Sequence, residues 1–394
     1  MSTLRQLFLN NLAQTSENPL AIEVEKAKGV YLYSKSGTKY IDLISGISVS
    51  NLGHCNKRVT KTVNNQLKKF TYLMVYGEYV ISPQVELASK LVSLLPANLN
   101  SVYFVNSGSE AVEGAIKLAK RFTGRNKIIS FKNAYHGSTS GALSVMGNEF
   151  FKQQFRPLLP GIDFILFNNF EDIERITDNY ACVIVEPIQG EAGVQIPEKN
   201  FLLALREKCN QTNTLLIFDE IQTGIGRTGK MFAFENFNVI PDILLLAKAF
   251  GGGFPLGAFI SSKEIMSVLS CNPPLGHITT FGGHPISCVA SLETIKILEE
   301  TKIYETAVNK GLLIKKLLNH KKIINIRQIG LFISVELENE IIVKNVIDYA
   351  IQKGVIIDWF LFAPNCIRIA PPVIIIEKEI RKVCKIINEG IEQA

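Results

Sequence analysis

The stretch Val102-Tyr-Phe-Val-Asn106-Ser107-Gly108-Ser109-Glu110 decides how this chain is read. Its first four residues are β-branched or aromatic and suit a buried strand. A turn of small residues follows, and 110–122 has the apolar spacing of a helix that Gly124 can close. Strand, tight turn and helix in direct succession are the building unit of a parallel sheet. Further apolar runs repeat the unit: Lys127-Ile-Ile-Ser-Phe131, Phe164-Ile-Leu-Phe167, Cys182-Val-Ile-Val185, Thr214-Leu-Leu-Ile-Phe218 and Ile243-Leu-Leu-Leu246. Unbroken apolar runs of this length fit strands covered by helices on both faces.

Outward from this core the pattern changes. Upstream, Ser82-Pro83 can start a helix whose apolar face is Val85, Ala88, Leu91, Val92 and Leu95, with Pro96 ending it. Earlier still, Val30-Tyr-Leu-Tyr33 and Lys39-Tyr-Ile-Asp-Leu43 flank a Ser36-Gly37 turn and predict a hairpin. After Pro285 a long helical stretch is expected over 286–318, then strand-like pieces at 331–337 and 366–369. A last helix carries Ile376, Ile380, Val383, Ile387 and Ile391. The expected fold is α/β: a large domain over 51–284 with a mainly parallel sheet, and a smaller α+β domain built from residues 1–50 and 285–394.

Composition narrows the functions. The chain has 394 residues, is 47% hydrophobic and carries a net charge of +6. That mixture can bury a large core without staples. No long basic run favours nucleic acid or an anionic membrane. The seven cysteines (55, 182, 209, 271, 288, 366, 384) are scattered with no Cys-x-x-Cys pair, which argues against a disulfide framework. The five histidines lack metal-ligand spacing, so no metal is expected. The first residues do not read as a signal peptide, and no apolar run approaches the ~20 residues of a membrane helix. A cytoplasmic protein is expected.

Ligands of open α/β sheets gather at strand carboxyl ends, and four such ends carry suggestive groups. The turn 106–109 offers backbone N–H groups, a helix N-terminus and the Ser109 hydroxyl, which together can cradle a phosphate or merely cap the helix. Asp219 ends the strand at Phe218. Lys248 follows an apolar strand and precedes Gly251-Gly-Gly253, a confined setting in which desolvation favours a neutral, nucleophilic amine. Tyr135-His136-Gly137 follows the strand 127–131. A fifth feature misleads: Gly224-Ile-Gly-Arg-Thr-Gly229-Lys230 has the outline of a nucleotide-binding P-loop, but Met231 stands where Ser or Thr would hold magnesium. A phosphate cradle, an aromatic plate, a carboxylate and an amine are the groups that pyridoxal phosphate requires.

In these motifs the sequence resembles the class-III pyridoxal-phosphate aminotransferases of fold type I, the group of acetylornithine, ornithine and 4-aminobutyrate aminotransferases. The resemblance runs over about 20–390. It rests on Asn106-Ser-Gly-Ser-Glu-Ala111, Tyr135-His-Gly137, Glu186-Pro-Ile-Gln-Gly-Glu191, Asp219-Glu-Ile-Gln-Thr-Gly-Ile-Gly-Arg-Thr-Gly229, Lys248 with its glycines, and Thr279-Thr-Phe-Gly-Gly283. It implies that Lys248 forms the Schiff base and moves the proton, and that Asp219 pairs with the pyridine nitrogen. Tyr135 and Ile221 would flank the ring, with Gln222 near its phenolic oxygen. Gly108 and Ser109 would hold the phosphate, helped by Thr280 of a neighbouring subunit in a homodimer with shared sites. On the substrate side it implies that Arg368 clamps the carboxylate of 2-oxoglutarate and that Glu191 masks Arg368 while the amino donor is bound.

Two positions depart from the family patterns. Ser138 stands where acetylornithine and 4-aminobutyrate enzymes have an arginine, which leaves donors with a neutral or differently anchored tail. Ile47 stands where ornithine enzymes have an aromatic residue. The expected reaction is transfer of a terminal amine to 2-oxoglutarate, nearest to acetylornithine aminotransferases. An aminomutase of the glutamate-semialdehyde type shares the cradle, plate and lysine motifs and is the alternative.

Overall fold

The computed structural model describes residues 3–394, which form three sheets. The first joins β1 (Lys26–Lys28), β2 (Tyr31–Tyr33) and β3 (Lys39–Asp42) to β13 (Val355–Ile356), which pairs parallel to β3. The second holds seven strands in the order β4 (Ser101–Val105), β10 (Gly257–Ser261), β9 (Ile243–Leu246), β8 (Leu215–Asp219), β7 (Tyr180–Val185), β5 (Lys127–Phe131) and β6 (Ile162–Ile165). Pairing is parallel from β9 through to β6. Only β10 runs against its neighbours β9 and β4. The third sheet is antiparallel, in the order β11 (Asn325–Ile329), β12 (Phe332–Glu336), β15 (Ala363–Ile369) and β14 (Asp358–Phe360).

The α/β expectation holds, and the reason is burial. Every residue of β7, β8, β9 and β10 is buried. Each large aliphatic side chain taken fully out of water contributes about 1.5–3 kcal/mol, so the continuous apolar runs belong at the sheet centre. The hairpin, the strand at 101–105 and the helix Gly108–Thr123, closed by Gly124 at φ 69°, form where the sequence predicts them.

Several expectations need correction. The strand read at 164–167 lies at Ile162–Ile165. The helical stretch 286–318 is two helices, Pro285–Thr301 and Thr306–Leu317. Lys302 breaks them at φ 47°. The break seats Tyr304 on Gly226 and Val308 on Gly229, where an added Cβ would come within 2.7 and 2.5 Å of those side chains. The glycines that imitate a P-loop therefore admit a helix rather than a nucleotide. In the helix Ser82–Leu94 the buried residues are Pro83, Leu87 and Leu91, while Val85 is exposed. That inner face packs on Pro285–Thr301. β10 has no counterpart in the sequence reading, because a short run opening on glycine after Pro255 carries no periodicity.

One buried side chain ties the sheets together. Arg227 donates from Nη1 to the carbonyls of Leu331 (2.9 Å) and Pro371 (2.5 Å), and from Nη2 to Asn51 Oδ1. Asn51 in turn donates to the carbonyl of Ile225 at 2.6 Å. Burial pulls the guanidinium down to about 9.

Candidate active site

The carboxyl ends of the central strands open on a cavity of about 410 Å³. Gly108, Ser109, Tyr135, Asp219, Ile221, Gln222 and Lys248 all line it, so the cofactor residues expected from the motifs converge apart from Thr280. On one side is the turn after β4. Ser107 Oγ caps the helix by accepting from Glu110 N at 3.2 Å. Glu110 reaches back to Asn106 N at 2.8 Å, closing the turn. Two glycines set its shape. A Cβ on Gly108 would lie 2.8 Å from Ile221, and one on Gly137 would lie 2.1 Å from Ser109 Oγ. Only bare backbone lets these segments approach so closely.

Opposite stands Asp219, the last residue of β8. Its Oδ2 meets His136 Nδ1 at 2.7 Å, and its Oδ1 accepts from Ile221 N at 3.0 Å. His136 Nε2 is buried and finds no partner among the described residues. Glu186, at the end of β7, accepts from Tyr135 N (2.9 Å) and Gly190 N (3.0 Å). Burial, with the Asp219 carboxylate adding to it, pushes Glu186 up to about 7 against the pull of His136. Lys248 follows β9 with φ 50°, a left-handed conformation costly for a lysine. Backbone strain of this kind collects where structure is held for function. Burial lowers the ammonium's pKa, although Glu191 pulls the other way.

Behind Gln222 lies a charged cluster. Gln222 Nε2 donates to Glu191 Oε1 at 3.3 Å, and Glu191 Oε2 meets Arg368 Nη2 at 2.6 Å. Burial would raise the Glu191 carboxyl, but Arg368, Lys248 and the Leu361 N–H together outweigh it and the net direction is downward. The two side chains are 4% and 2% exposed, so the pair is shielded from water. The remaining predicted residues do not line the cavity. Ser138 is exposed, with its Oγ 3.3 Å from the Tyr135 hydroxyl. Ile47 sits in a left-handed turn in which Ser45, Gly46, Ile47 and Ser48 all have φ between 51° and 63°. Asp42 holds that turn by accepting from Ile44 N and Ser45 N. Thr280 is exposed and accepts from the Tyr72 hydroxyl through its carbonyl.

Three residues escaped the sequence reading. His136 was visible only as an aromatic neighbour, yet it holds Asp219. Glu186 lay inside a quoted motif without a role, although the strand-end rule that picks out Asp219 picks it out too. Asp358 interrupts the apolar run 355–362, which is itself a signal, because an acid amid apolar strand residues needs a partner.

Known proteins resemble this chain over nearly its whole length. The sequence model of the class-III aminotransferases matches residues 12–391. The acetylornithine aminotransferase of Methanocaldococcus jannaschii is 39% identical, over 91% of this chain and 90% of its own. The [LysW]-aminoadipate semialdehyde/glutamate semialdehyde transaminase of Sulfolobus acidocaldarius is 36% identical over 94% and 95%. Among solved structures, an ornithine aminotransferase from Toxoplasma gondii with PLP in its active site superposes with a TM-score of 0.92. It is 28% identical and covers 98% of this chain and 92% of its own. Among the described residues no helix is long and apolar enough to cross a membrane. The chain belongs to the class-III aminotransferases, a fold type I transaminase whose cofactor is pyridoxal 5'-phosphate.

Proposed function

We propose that the enzyme moves a terminal amine from its donor to 2-oxoglutarate. The observation that carries this reading is the buried Arg368–Glu191 pair next to the cavity, joined to it through Gln222. A guanidinium matches a carboxylate in fork geometry, so a dicarboxylic oxoacid can displace Glu191 and take its place. While the donor is bound, Glu191 neutralises the arginine, and a donor without a carboxylate there meets no bare cation.

The residues present fit the cofactor. The Gly108–Ser109 turn brings a helix N-terminus and a hydroxyl to the cavity wall, the donors a phosphate needs, and His136 supports Asp219 as a partner for a protonated ring nitrogen. Tyr135 and Ile221 line the cavity as the two ring-facing side chains, and Gln222 offers an amide to the ring oxygen. Bound there, pyridoxal phosphate supplies an electrophilic carbonyl and a ring that accepts electrons. Lys248 would bind that carbonyl and, once the donor's amine has displaced it, its freed Nζ, favoured as neutral by burial, would take the proton from the donor's amine-bearing carbon. Asp219 keeps its charge turned to the ring through two fixed hydrogen bonds.

The shared-site homodimer belongs to the same reading. Thr280 is exposed and away from its own cavity, and the helix Leu4–Asn11 buries no residue yet exposes Leu4, Leu7 and Leu9. The division into 51–284 and a smaller unit from both ends draws support from the β3–β13 pairing. The relatives' names put acetylornithine first among donors to try, whereas Ser138 offers only a neutral hydroxyl. A donor panel decides: loss of the yellow colour is followed with acetylornithine, ornithine, 4-aminobutyrate, lysine and simple diamines, and its return with 2-oxoglutarate. Diamines and lysine should compete well. A hundredfold preference for acetylornithine, about 2.7 kcal/mol, would refute the inference from Ser138. Failure of 2-oxoglutarate to restore the colour would refute the acceptor.

A further inference from the structure

Arg368 is flanked by two carboxylates, and only one of them belongs to the gate. Asp358 faces it across the β14–β15 pair, in register. Asp358 Oδ1 lies 3.3 Å from Arg368 Nε, while Glu191 takes Nη2 at 2.6 Å. The hairpin grips the guanidinium in two further ways. The Trp359 carbonyl accepts from Nη2 at 3.1 Å, and the Phe360 ring lies under the guanidinium at 4.5 Å. Nη1 is buried and has no partner among the described residues. Asp358 itself has no hydrogen bond through Oδ1, so its contact with Nε is one of charge.

A guanidinium can offer a carboxylate either its side edge, Nε with Nη2, or its end, Nη1 with Nη2. Asp358 occupies the Nε side and cannot leave, because it is part of the same hairpin. Glu191 comes from a different loop, and its Oε2 holds two donors at once: Arg368 Nη2 and, at 3.1 Å, Leu361 N. When Glu191 departs, the end fork opens and the side edge stays closed.

We propose that Asp358 is a positioning residue that fixes Arg368 by its Nε edge, so that an oxoacid carboxylate is taken end-on by Nη1 and Nη2. The inference rests on Arg368 as the carboxylate clamp, but not on which oxoacid is the natural acceptor. Removing Asp358 frees the guanidinium to turn about its stem, and the cost falls on carboxylate recognition alone. Asn at this position keeps the shape but not the charge, so it should release the guanidinium much as Ala does.

The test uses the holoenzyme in its amino-loaded form. The saturating single-turnover rate (kcat) and the half-saturating concentration (KM) are measured for 2-oxoglutarate, oxaloacetate, pyruvate and a carboxylate-free aldehyde. For Asp358→Ala, the KM of the best oxoacid should rise at least fivefold with kcat within twofold. The aldehyde's kcat/KM should move less than twofold, and Asp358→Asn should raise the oxoacid KM as Ala does. An unchanged oxoacid KM in Asp358→Ala would overturn the proposal. So would an equal loss for the aldehyde, or Asn behaving like wild type. If pyruvate or oxaloacetate proves the better acceptor, the 2-oxoglutarate reading fails while the Asp358 comparison is still made on the preferred oxoacid.

Discussion

The cofactor side of this cavity and the proposed substrate side beside it are built differently. The cofactor side comes from strand ends of one sheet, with Asn106–Ser109, Tyr135–Gly137, Asp219–Gln222 and Lys248 each a short continuous run. The substrate side is gathered from 47, 138, 191 and 358–368, on a left-handed turn, two loops and a hairpin of another sheet. On the first side the fixed carboxylates are bonded to backbone N–H groups. On the second, Nε and Nη1 of Arg368 and Oδ1 of Asp358 lack hydrogen bonds. A site that serves every turnover alike can fix its carboxylates in advance, although His136 Nε2 and Gln222 Oε1 are without partners there among the described residues. A site that must greet two different substrates in turn keeps valences open.

That contrast can be broken experimentally. The largest effect is expected at Lys248: Lys248→Ala should lower turnover by about 10⁴-fold, the upper range for a lost proton-transfer group, while cofactor still binds non-covalently. Single-turnover absorbance checks it, and an active variant would sink the assignment. Next is Arg227, which belongs to neither side but joins their supports. Arg227→Ala strands three acceptors and should cost about 3–5 kcal/mol in urea unfolding of the cofactor-free protein, with a smaller loss for Arg227→Lys. Arg368→Ala should lose about 2–5 kcal/mol in kcat/KM for the oxoacid half-reaction. The donor half-reaction should suffer less, and equal losses in both would remove the distinction between gated and fixed groups.

The smallest effect is a pH slope. Glu220 is buried and accepts from Ala233 N and Phe234 N, and burial pushes it up to about 8. The folded state then holds this proton more tightly than the unfolded chain does. The group's contribution is present below its ordinary carboxylate range and is lost as pH rises toward about 8. Wild type should therefore lose stability relative to Glu220→Gln between about pH 5 and pH 8. A constant difference across that range would contradict the assignment.

The same contrast explains what could be read without coordinates. Strand-end motifs announce themselves because chemistry and local conformation share a few adjacent residues, as at 106–110 and 219–222. Asp358 and Arg368 lie ten positions apart on two strands, and only the hairpin's register makes them partners. The break at Lys302 was invisible because no proline or glycine marks it; it is imposed by Tyr304 and Val308 settling on distant glycines. Val85 misled because apolar spacing defines a face only up to rotation, and the neighbouring helix chooses the angle.

The pairing of β3 with β13 sets a timetable for the chain. Residues 39–42 emerge early in synthesis, and their parallel partner at 355–356 follows roughly 310 residues later. At 5–20 residues per second the wait is roughly 15–60 s. Closing so long a loop costs little more free energy than closing one half as long, since the entropy grows only with the logarithm of length. The delay is therefore kinetic. During it the hairpin edge at β3 has no strand beside it, and a growing chain must keep that edge from pairing with another nascent copy.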